Sequence, residues 1–372
     1  MTPIRRPDRG RTSRHRQDED TAGILEIHVG PWSTRVMVDV QITRIEPDDV
    51  AGLSRWHALM REAYTADRTA AWWQSLESTL TQFAHPRSDK QDIALLAHLG
   101  EECIGGAEIN IVTDAPADVE VGVLPTHRRR GHGTSIAGVV EDLLRGQTEI
   151  VQTETYCREG VAFAEAQGLS IGNQEDRLLL DLPTYLRDDA NRYKSPDAKS
   201  RLSTAPDPAM SITSWIGGCP DEAVEDWARL RRQMDEDVPV GDLTRTLKHV
   251  GASAIRTHEE RMADQGWILV SSIAHVNDVP AGYTEIMVSG HEPDIIIQED
   301  TLVERAYRGR GIGRGLKVAN MRQLHGIPDA AQASWIQTYT AKNNGPMYAL
   351  NQDLGYFTAD TMTALEGRFD YS

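Results

Sequence analysis

Two segments rich in glycine and arginine lie 180 residues apart, measured from Arg128 to Arg308, and this repetition constrains the fold most strongly. The first reads LPTHRRRGHGTSI and begins at Leu124, and the second reads RAYRGRGIGRGLK and begins at Arg305. Each follows a short alternating segment typical of a β-strand and precedes an apolar pattern with helical spacing. Repetition of a motif at a fixed offset indicates a duplicated structural unit. The chain is therefore predicted to carry two copies of one domain.

The segments around these loops occur in the same order in both halves. A strand and a helix come first, then a β-meander, the loop, a second helix and a further strand. The stretch VQTETYCREGVAFAEAQGLS after the first loop corresponds to IQTYTAKNNGPMYALNQDLGYF after the second. The first helix is predicted to begin with Asp48 as its N-cap, because a short acidic side chain accepts hydrogen bonds from free amides there. This order predicts an α+β fold built from two tandem domains.

A shift in composition near the middle of the chain gives the predicted domain boundaries. Residues 187–208 contain few apolar side chains, several prolines and mixed charge, so they are predicted to form a linker. The flanking domains are predicted to span residues 38–186 and 209–372. Residues 1–37 carry arginines without a following apolar segment, and we expect a disordered extension there rather than a secretory signal.

Charge and cysteine content limit the expected partners and compartment. The net charge of −17 and the pI near 5.1 argue against nucleic acid, since duplex binding needs a broad cationic face. Cationic loops in an acidic protein indicate a small anionic ligand, and the surrounding negative field favours a cationic substrate such as an amine. No apolar run approaches the ~20 residues that span a bilayer, so no membrane association is expected. The three cysteines, Cys103, Cys157 and Cys219, show neither paired nor metal-ligand spacing, which favours a metal-free protein of the reducing cytoplasm.

The glycine loops have the composition of a diphosphate-binding site. A strand that passes through Arg-x-x-Gly-x-Gly into a helix presents backbone amides at the helix N-terminus, and glycine lets an anion approach them closely. Arginines at the rim can add charge-assisted hydrogen bonds. The P-loop pattern of nucleoside triphosphatases is absent. A dinucleotide-binding glycine motif is also excluded, because it follows the first strand of its domain and these loops follow the fourth.

The pattern Val-x-x-x-x-Arg-x-x-Gly-x-Gly resembles the acyl-coenzyme-A binding motif of the GCN5-related N-acetyltransferases, the GNAT superfamily. Its positions in this chain are Val123, Arg128, Gly131 and Gly133, and again Val303, Arg308, Gly311 and Gly313. The second half also resembles the family's downstream helix at Asn344, Met347, Leu350, Leu354, Gly355 and Tyr356. The resemblance is to the tandem two-domain form common in actinobacteria. It implies that each domain is a mixed, mostly antiparallel sheet flanked by helices, with a split between its fourth and fifth strands for acyl-CoA.

The resemblance also implies acetyl-CoA as co-substrate and an amine that attacks its thioester directly. The coenzyme would contact the glycine loops and the strand ends before them. In the second half this set comprises Leu302, Val303, Arg308, Gly309, Arg310, Gly311, Ile312, Gly313, Arg314 and Asn344. In the first half it comprises Val123, Arg128, Arg129, Arg130, Gly131, His132, Gly133 and Thr134. The backbone N–H of Val303 or Val123 would stabilise negative charge developing on the thioester oxygen.

Glu299 is the candidate general base that the resemblance implies. The family glutamate stands eleven residues before the loop arginine, where this chain has Ile297. Glu299 lies two residues further on and shares the strand face of that position, whereas Asp300 should point to the opposite face. The alternative is that Glu299 is not the base but an ordinary solvated carboxylate at the end of a strand.

The general acid of the family is commonly a tyrosine of the downstream helix, and here the sequence departs from the family pattern. Asn351 occupies that position, and an amide can donate a hydrogen bond but gives up no proton near neutral pH. Tyr348 and Tyr339 are the candidate substitutes. The first half has Cys157 and Ala164 at the asparagine and tyrosine positions. It is therefore predicted to bind coenzyme or to act as a structural partner, without catalysing.

These observations predict an acetyl-CoA-dependent N-acetyltransferase that uses its C-terminal domain to acetylate an amine of a small molecule. The alternative is an acyl-CoA-binding protein with little or no transferase activity, because the tyrosine is missing from both halves. Lys317 and Asn320 follow the second loop on the predicted helix, and we expect them either to contact coenzyme or to face water. The sequence leaves the acceptor and the oligomeric state open.

Overall fold

The computed structural model describes residues 40–192, 209–238, 240–246 and 251–368. The predicted N-terminal extension, residues 1–37, lies outside these ranges. The predicted linker also lies outside them from residue 193 to residue 208, while its first residues continue the helix Leu182–Arg192.

The N-terminal half begins with a strand, two helices and an antiparallel meander, and then alternates between helix and strand. Its strands are β1 Val40–Ile45, β2 Lys90–Leu99, β3 Glu102–Val112, β4 Ala117–Val123, β5 Ile150–Thr155 and β6 Ser170–Asp181. Its helices are α1 Val50–Thr65, α2 Leu76–Ala84, α3 His132–Leu144, α4 Arg158–Ala166 and α5 Leu182–Arg192.

The C-terminal half repeats this order, which confirms the predicted α+β fold of two similar units. Its strands are β7 Met210–Ile216, β8 Trp267–Val276, β9 Val279–Ser289, β10 Ile295–Val303, β11 Trp335–Ala341 and β12 Phe357–Arg368. Its helices are α6 Val224–Asp237, α7 Ala252–Asp264, α8 Ile312–Gln323 and α9 Gly345–Leu354. Within the described ranges, no helix has the length and apolar character needed to cross a membrane.

Helix α1 begins one residue later than the sequence predicts. Asp49, rather than Asp48, is its N-cap, and the Asp49 carboxylate accepts a hydrogen bond from the Gly52 N–H at 2.8 Å. The reason is a turn that precedes the helix, in which the Asp49 N–H donates to the Glu46 carbonyl at 3.0 Å. Asp48 is a middle residue of that turn, so Asp49 is the residue that faces the free amides of the first helical turn.

The twelve strands of the described residues form one sheet, in the order β1-β2-β3-β4-β5-β12-β6-β11-β10-β9-β8-β7. Each half contributes its last strand to the other half. Strand β12 lies between β5 and β6, and β6 lies between β12 and β11. Neither half therefore completes its own part of the sheet.

In both halves the fourth and fifth strands run parallel and separate after a short contact. Strand β4 pairs with β5 at Ala117 and Asp118. Strand β10 pairs with β11 from Ile295 to Ile297. Beyond these residues the strands diverge and leave an opening at the end of the sheet that carries the glycine loops. The predicted split between the fourth and fifth strands is confirmed.

The exchanged strands pack into the hydrophobic core of the opposite half. Leu178 and Leu180 of β6 lie in a buried cluster with Ile336 and other residues of the C-terminal half. Leu365 of β12 packs on Leu169 in the N-terminal half. Each fully buried leucine side chain contributes about 1.5–3 kcal/mol. The stability of each half therefore depends on a strand from the other.

Arg177 of β6 joins the exchanged strands at the centre of the sheet. Its side chain is fully buried, and its Nε and Nη2 each donate to one carboxylate oxygen of Asp360 on β12 at 2.7 Å. Further hydrogen bonds run to Gln337 on β11 and to the carbonyls of Thr69 and Ala70. These contacts use all five N–H groups of the guanidinium, as a fully buried cation requires.

Candidate active site

A cavity of about 1520 Å³ lies where β10 and β11 separate. The C-terminal glycine loop and the starts of α8 and α9 form one end of it. The N-terminal half forms the other end with Tyr64, Trp72, Trp73, Gln74, Glu108, Glu120, Glu154, Tyr156 and Glu175. Single small-molecule sites occupy about 300–1,000 Å³, so this cavity has room for two ligands side by side.

The C-terminal glycine loop presents free backbone amides to one end of the cavity. Gly309 and Gly311 have φ angles of 78° and 77°, in the left-handed region that glycine adopts without strain. Gly311 is the N-cap of α8 and supplies no side-chain acceptor, so the first amides of the helix stay uncapped. The loop residues that line the cavity are Arg308, Gly309, Gly311, Ile312, Gly313 and Arg314. This arrangement can hold an anionic diphosphate.

The other residues of the second half that are predicted to bind coenzyme lie close to this loop. Leu302 and Val303 line the cavity at the end of β10, and Asn344 lines it as the N-cap of α9. The Arg310 guanidinium lies over the Tyr307 ring, 5.4 Å from its centroid. The structure therefore gathers the predicted set around one end of the cavity, with Arg310 at its rim.

The Val303 amide is directed into the opening between β10 and β11. The next amide, that of Glu304, donates to the Ala281 carbonyl on the β9 side at 2.9 Å. Because successive amides of a strand point to opposite edges, the Val303 N–H faces the edge from which β11 has diverged. This N–H is placed to donate to an oxygen held in the opening.

The motif arginine of each loop braces the loop against the strand before it. Arg308 Nε donates to the Val303 carbonyl at 2.9 Å, and Arg128 Nε donates to the Val123 carbonyl at 3.0 Å. Arg308 also pairs with Asp237 at 3.4 Å. Sequence reasoning placed these arginines at a phosphate. In the structure they hold the turn that presents the amides.

The N-terminal glycine loop has the same backbone form as the C-terminal one. Gly131, with φ of 90°, is the N-cap of α3. Arg129 takes the place of Gly309 and has φ of 63°, a conformation that costs a residue with a Cβ roughly 1–2 kcal/mol. Among the described residues that line the cavity, none belongs to this loop. The two loops therefore differ in what they border rather than in their backbone.

The side chains of the N-terminal loop lie partly in solvent and partly in the core. The three arginines before Gly131 are exposed, and so is Thr134 after it. His132 is buried at the start of α3, and neither of its ring nitrogens has a hydrogen-bond partner among the described residues. Gly133 faces the ring of Phe163, where an added Cβ would lie 3.3 Å from a ring carbon.

Asn351, at the position of the family's acid, and the two candidate substitutes, Tyr348 and Tyr339, lie in different places. Asn351 is fully buried, and its Nδ2 donates to a threonine hydroxyl of β11 at 3.0 Å. The Tyr348 hydroxyl bonds a threonine of β12 at 2.7 Å. Neither residue is part of the described cavity lining, whereas Tyr339 is, and its hydroxyl bonds that of Tyr156 at 2.9 Å. Burial raises the pKa of Tyr339, so its hydroxyl stays protonated at neutral pH.

Glu299 and Asp300 both face the cavity, although strand alternation predicts opposite faces. The register of β10 against β9 shifts at these two residues, so that both lie opposite Glu285 in a β-bulge. The expectation for Asp300 is therefore wrong, because the bulge breaks the alternation. Asp300 accepts a hydrogen bond from the Tyr283 hydroxyl at 2.9 Å.

The pKa of the Glu299 carboxyl is raised to about 7. Enclosure by the cavity walls is the largest cause, the nearby Asp300 and Glu285 carboxylates raise the pKa further, and the Arg231 guanidinium opposes them. The side chain is still accessible from within the cavity. A carboxyl that titrates near neutral pH is suited to take a proton from an ammonium group.

Sequence reasoning missed the carboxylates that the N-terminal half contributes to this cavity. These are Glu108, Glu120, Glu154 and Glu175. Burial and the Glu108 carboxylate, its cross-strand partner, raise the pKa of Glu120 to about 8. Burial and a neighbouring aspartate raise the pKa of Glu154 to about 7. A signal for Glu120 was present, since it stands 180 residues before Asp300, the same offset as the loops.

Lys317 of α8 lines the cavity with only 1% of its surface exposed. Its Nζ lies 5.7 Å from the centroid of the Tyr356 ring, and burial lowers the pKa of Lys317 to about 7. Asn320, one helical turn further on, is fully buried and donates to the Val270 carbonyl at 2.8 Å. The expectation that Asn320 contacts coenzyme or water is wrong, because this residue fastens α8 to β8.

Replacing Lys317 by methionine is expected to raise the free energy of unfolding by about 2–4 kcal/mol at pH 6. The pKa of Lys317 is about 7 in the folded protein and about 10.4 in an unfolded chain, so the cost of burying the cation is complete below pH 7 and fades as pH rises towards 10. Urea unfolding of both proteins at pH 6 and near pH 10 measures the difference. Lys342→Met, at an exposed position, is the control. An equal gain at both pH values would contradict the expectation.

Known proteins share both the sequence pattern and the fold. Residues 53–168 match the model of the acetyltransferase (GNAT) family. A sequence search of curated proteins found no significant match.

Solved structures cover both halves of the chain. A tandem GNAT protein from the clavulanic acid biosynthesis pathway is 20% identical, with a TM-score of 0.71, and the alignment covers 90% of this chain and 100% of that one. A GCN5-related N-acetyltransferase from Sphaerobacter thermophilus is 16% identical, with a TM-score of 0.57 and coverage of 88% and 95%. A glucosamine N-acetyltransferase region of a fungal multi-domain β-N-acetylglucosaminidase is 15% identical, with a TM-score of 0.56 and coverage of 89% and 38%. The segment that matches the family model is one of two copies of the same fold, and the chain as a whole has the fold of a tandem GNAT protein.

Proposed function

We propose that this protein is an N-acetyltransferase that uses acetyl-CoA to acetylate an amine of a small molecule, with the chemistry in its C-terminal half. One observation carries the proposal. The same cavity contains the free amides of the C-terminal glycine loop and Glu299, a carboxyl with a pKa of about 7. Direct acyl transfer from a coenzyme A thioester to an amine needs an anion site and a proton acceptor in one cleft.

The residues of the C-terminal half would hold the coenzyme in order along the cavity. The amides from Gly309 to Arg314 would bind the diphosphate, and the opening between β10 and β11 would receive the pantetheine arm. Acetyl-CoA supplies a thioester, whose acyl carbon an amine can attack directly. The Val303 N–H would donate to the thioester oxygen and stabilise the charge that develops there.

Proton transfer would use two groups of the cavity lining. Glu299 would accept the proton that the ammonium group loses when it becomes the nucleophile. Tyr339 would donate a proton to the departing thiolate, since it lines the cavity and burial keeps its hydroxyl protonated. Asn351 and Tyr348 are proposed to support α9 from behind the lining.

The N-terminal half is proposed to supply the facing wall of the cavity rather than a second reaction centre. Its carboxylates line the cavity, and its glycine loop is not part of the described lining. A second coenzyme molecule could bind that loop without taking part in the reaction.

Release of free thiol from acetyl-CoA, measured across a panel of amines, tests the proposal. Turnover with at least one amine supports it. Tight binding of acetyl-CoA without turnover of any amine would favour the alternative, an acyl-CoA-binding protein.

Gly311→Glu is expected to lower turnover at least about 100-fold, the loss that corresponds to about 3 kcal/mol of diphosphate binding. The substitution places a carboxylate at the anion site and a Cβ at a residue with φ of 77°. Gly131→Glu, the matched change in the N-terminal loop, should keep turnover at saturating acetyl-CoA and affect mainly coenzyme occupancy or stability. Initial rates of both variants decide between these expectations. Equal loss of turnover in both would overturn the assignment of the chemistry to the C-terminal half.

A further inference from the structure

Lys317 is a lysine of the cavity lining that the proposed reaction does not use. Its Nζ makes no hydrogen bond or ion pair with the described residues. The other lysines of the described ranges pair with carboxylates, Lys90 with Asp92 at 2.6 Å and Lys342 with Asp176 at 3.9 Å. Among the lysines that the structure describes, Lys317 is therefore the one whose amine has no acidic partner.

The Nζ atom of Lys317 is accessible from the cavity. The side chain lines the cavity and keeps 1% of its surface exposed. The nearby Tyr356 hydroxyl is fully enclosed without a hydrogen-bond partner, whereas the Nζ atom, which also has no partner, is not enclosed. The small surface that Lys317 keeps in the cavity therefore includes its amine.

Helix α8 places Lys317 beneath the opening between β10 and β11. A Cβ added at Gly313 would lie 3.4 Å from a methyl carbon of Val303 and 3.3 Å from one of Leu350, so this face of α8 borders the seam between the end of β10 and α9. Lys317 follows four residues later on the same face, about 6 Å further along the helix. Because α8 runs back along β10, this distance corresponds to about two residues of the strand. The amine therefore lies roughly level with Thr301, another residue of the cavity lining.

The sheet separates Lys317 from the carboxylate of Asp300. Asp300 accepts a hydrogen bond from Tyr283, whose ring packs on α6. A Cβ added at Gly282, the residue before Tyr283, would lie 3.3 Å from Leu316 of α8, so α8 covers the opposite face of the sheet. Burial lowers the pKa of Lys317 to about 7, and no carboxylate counteracts it. Much of the amine is therefore unprotonated at neutral pH, and a desolvated neutral lysine is a nucleophile.

We infer that Lys317 is itself acetylated at Nζ by the acetyl-CoA bound in the same cavity, without an acceptor amine. The neutral amine attacks the thioester carbon, a C–N bond forms and the C–S bond breaks. The proton that the nitrogen loses ends on the coenzyme A sulfur, so the products are an acetyl-lysine and free coenzyme A. The inference rests on the proposed binding of acetyl-CoA at the C-terminal glycine loop, and it adds a modification site to the proposed transfer to small molecules.

Incubation of the full-length protein with acetyl-CoA alone, followed by tryptic digestion and mass spectrometry, tests the inference. Trypsin cleaves the unmodified chain after Arg314, Lys317 and Arg322, but it does not cleave after an acetylated lysine. We expect the peptide of residues 315–322 to appear uncleaved, with one acetyl group. Because the coenzyme would hold the thioester beside the amine, acetylation of Lys317 should be at least about 100-fold faster than that of the exposed Lys342. Equal rates at the two lysines would overturn the inference.

Two treatments show whether the acetyl group comes from coenzyme bound at the loop. Gly311→Glu, which places a carboxylate at the diphosphate site, and an excess of free coenzyme A, which needs no variant, should each slow acetylation of Lys317 at least about 10-fold and leave Lys342 unaffected. Acetylation of Lys317 at an unchanged rate under excess coenzyme A would show a reaction from solution and overturn the inference. Intact mass should show one added acetyl group in the wild type and none in Lys317→Met over the same period. A melting temperature of Lys317→Met no lower than that of the wild type excludes misfolding as the cause.

The same samples separate this inference from the proposed function. Acetylation of Lys317 without turnover of any amine would refute the proposed transferase and leave the modification site in place. Turnover of amines by a protein whose Lys317 stays unmodified would refute the inference and keep the transferase. Binding of acetyl-CoA at the C-terminal loop with neither reaction would refute both.

Discussion

Glu299→Gln should lower kcat by about 100- to 10,000-fold, the contribution usual for a general base. The dissociation constant of acetyl-CoA should stay within about twofold of the wild-type value, because the substitution is neutral in volume and lies away from the loop amides. Glutamine keeps the hydrogen-bonding shape of the side chain but cannot accept a proton near neutral pH. Initial rates at saturating acetyl-CoA and a direct titration with the coenzyme give the two quantities.

The pH profile adds a readout that a merely structural role would not produce. The general base acts in its deprotonated form, and the pKa of Glu299 is about 7. Wild-type kcat/KM should therefore rise with pH up to about 7 and then level off, and the residual activity of Glu299→Gln should lack this rise. Glu260→Gln, on the exposed side of α7, is the control for removal of one carboxylate. A Glu299→Gln variant with the wild-type rate and profile would place the base elsewhere.

Asp360→Ala should lower the free energy of unfolding by about 3–5 kcal/mol, the loss expected when one partner of a buried ion pair is removed. The change leaves the fully buried Arg177 without the carboxylate that accepts two of its hydrogen bonds. Both residues lie on the exchanged strands, so the loss acts on the N-terminal and C-terminal halves together. Urea unfolding, monitored by tryptophan fluorescence, measures this loss of stability. A single transition is expected because the halves share their strands.

An exposed ion pair supplies the matched control for this prediction. Asp89 pairs with Arg87 at the surface, with 53% of the Asp89 side chain exposed. Asp89→Ala should cost no more than about 1 kcal/mol. If Asp360→Ala and Asp89→Ala had similar small effects, Arg177 would not be a joint between the halves.

Much of the fold could be predicted from the sequence because the decisive signals are local. The glycine loops require a strand before them and a helix after them, and their repetition gives the number of units. The exchange of β6 and β12 could not be predicted, because each strand has the same alternating pattern whichever neighbour it pairs with. Only the packing of residues such as Leu178 and Leu365 into the opposite cores selects the partner.

The parts of the candidate site that depend on local sequence signals could also be predicted, and the parts that depend on packing could not. The coenzyme loop depends on glycine positions that can be read directly, and the structure places Gly309 and Gly311 at the cavity. The direction of Asp300 depends on a β-bulge, and a bulge leaves no local sequence mark that separates it from regular strand. Glu120 was missed because an acid on a strand is ordinary until the fold brings it into a cavity with carboxylates of the other half. The burial of Lys317 could not be predicted, because helical spacing alone does not show which face of α8 packs on the sheet.

A crystal structure of the protein with bound acetyl-CoA tests whether the C-terminal glycine loop is the coenzyme site of the reaction. We expect the diphosphate within hydrogen-bonding distance of the amides from Gly309 to Arg314, and the acetyl group in the opening between β10 and β11, beside Glu299. Coenzyme ordered at the N-terminal loop alone, or at a surface away from both loops, would contradict it.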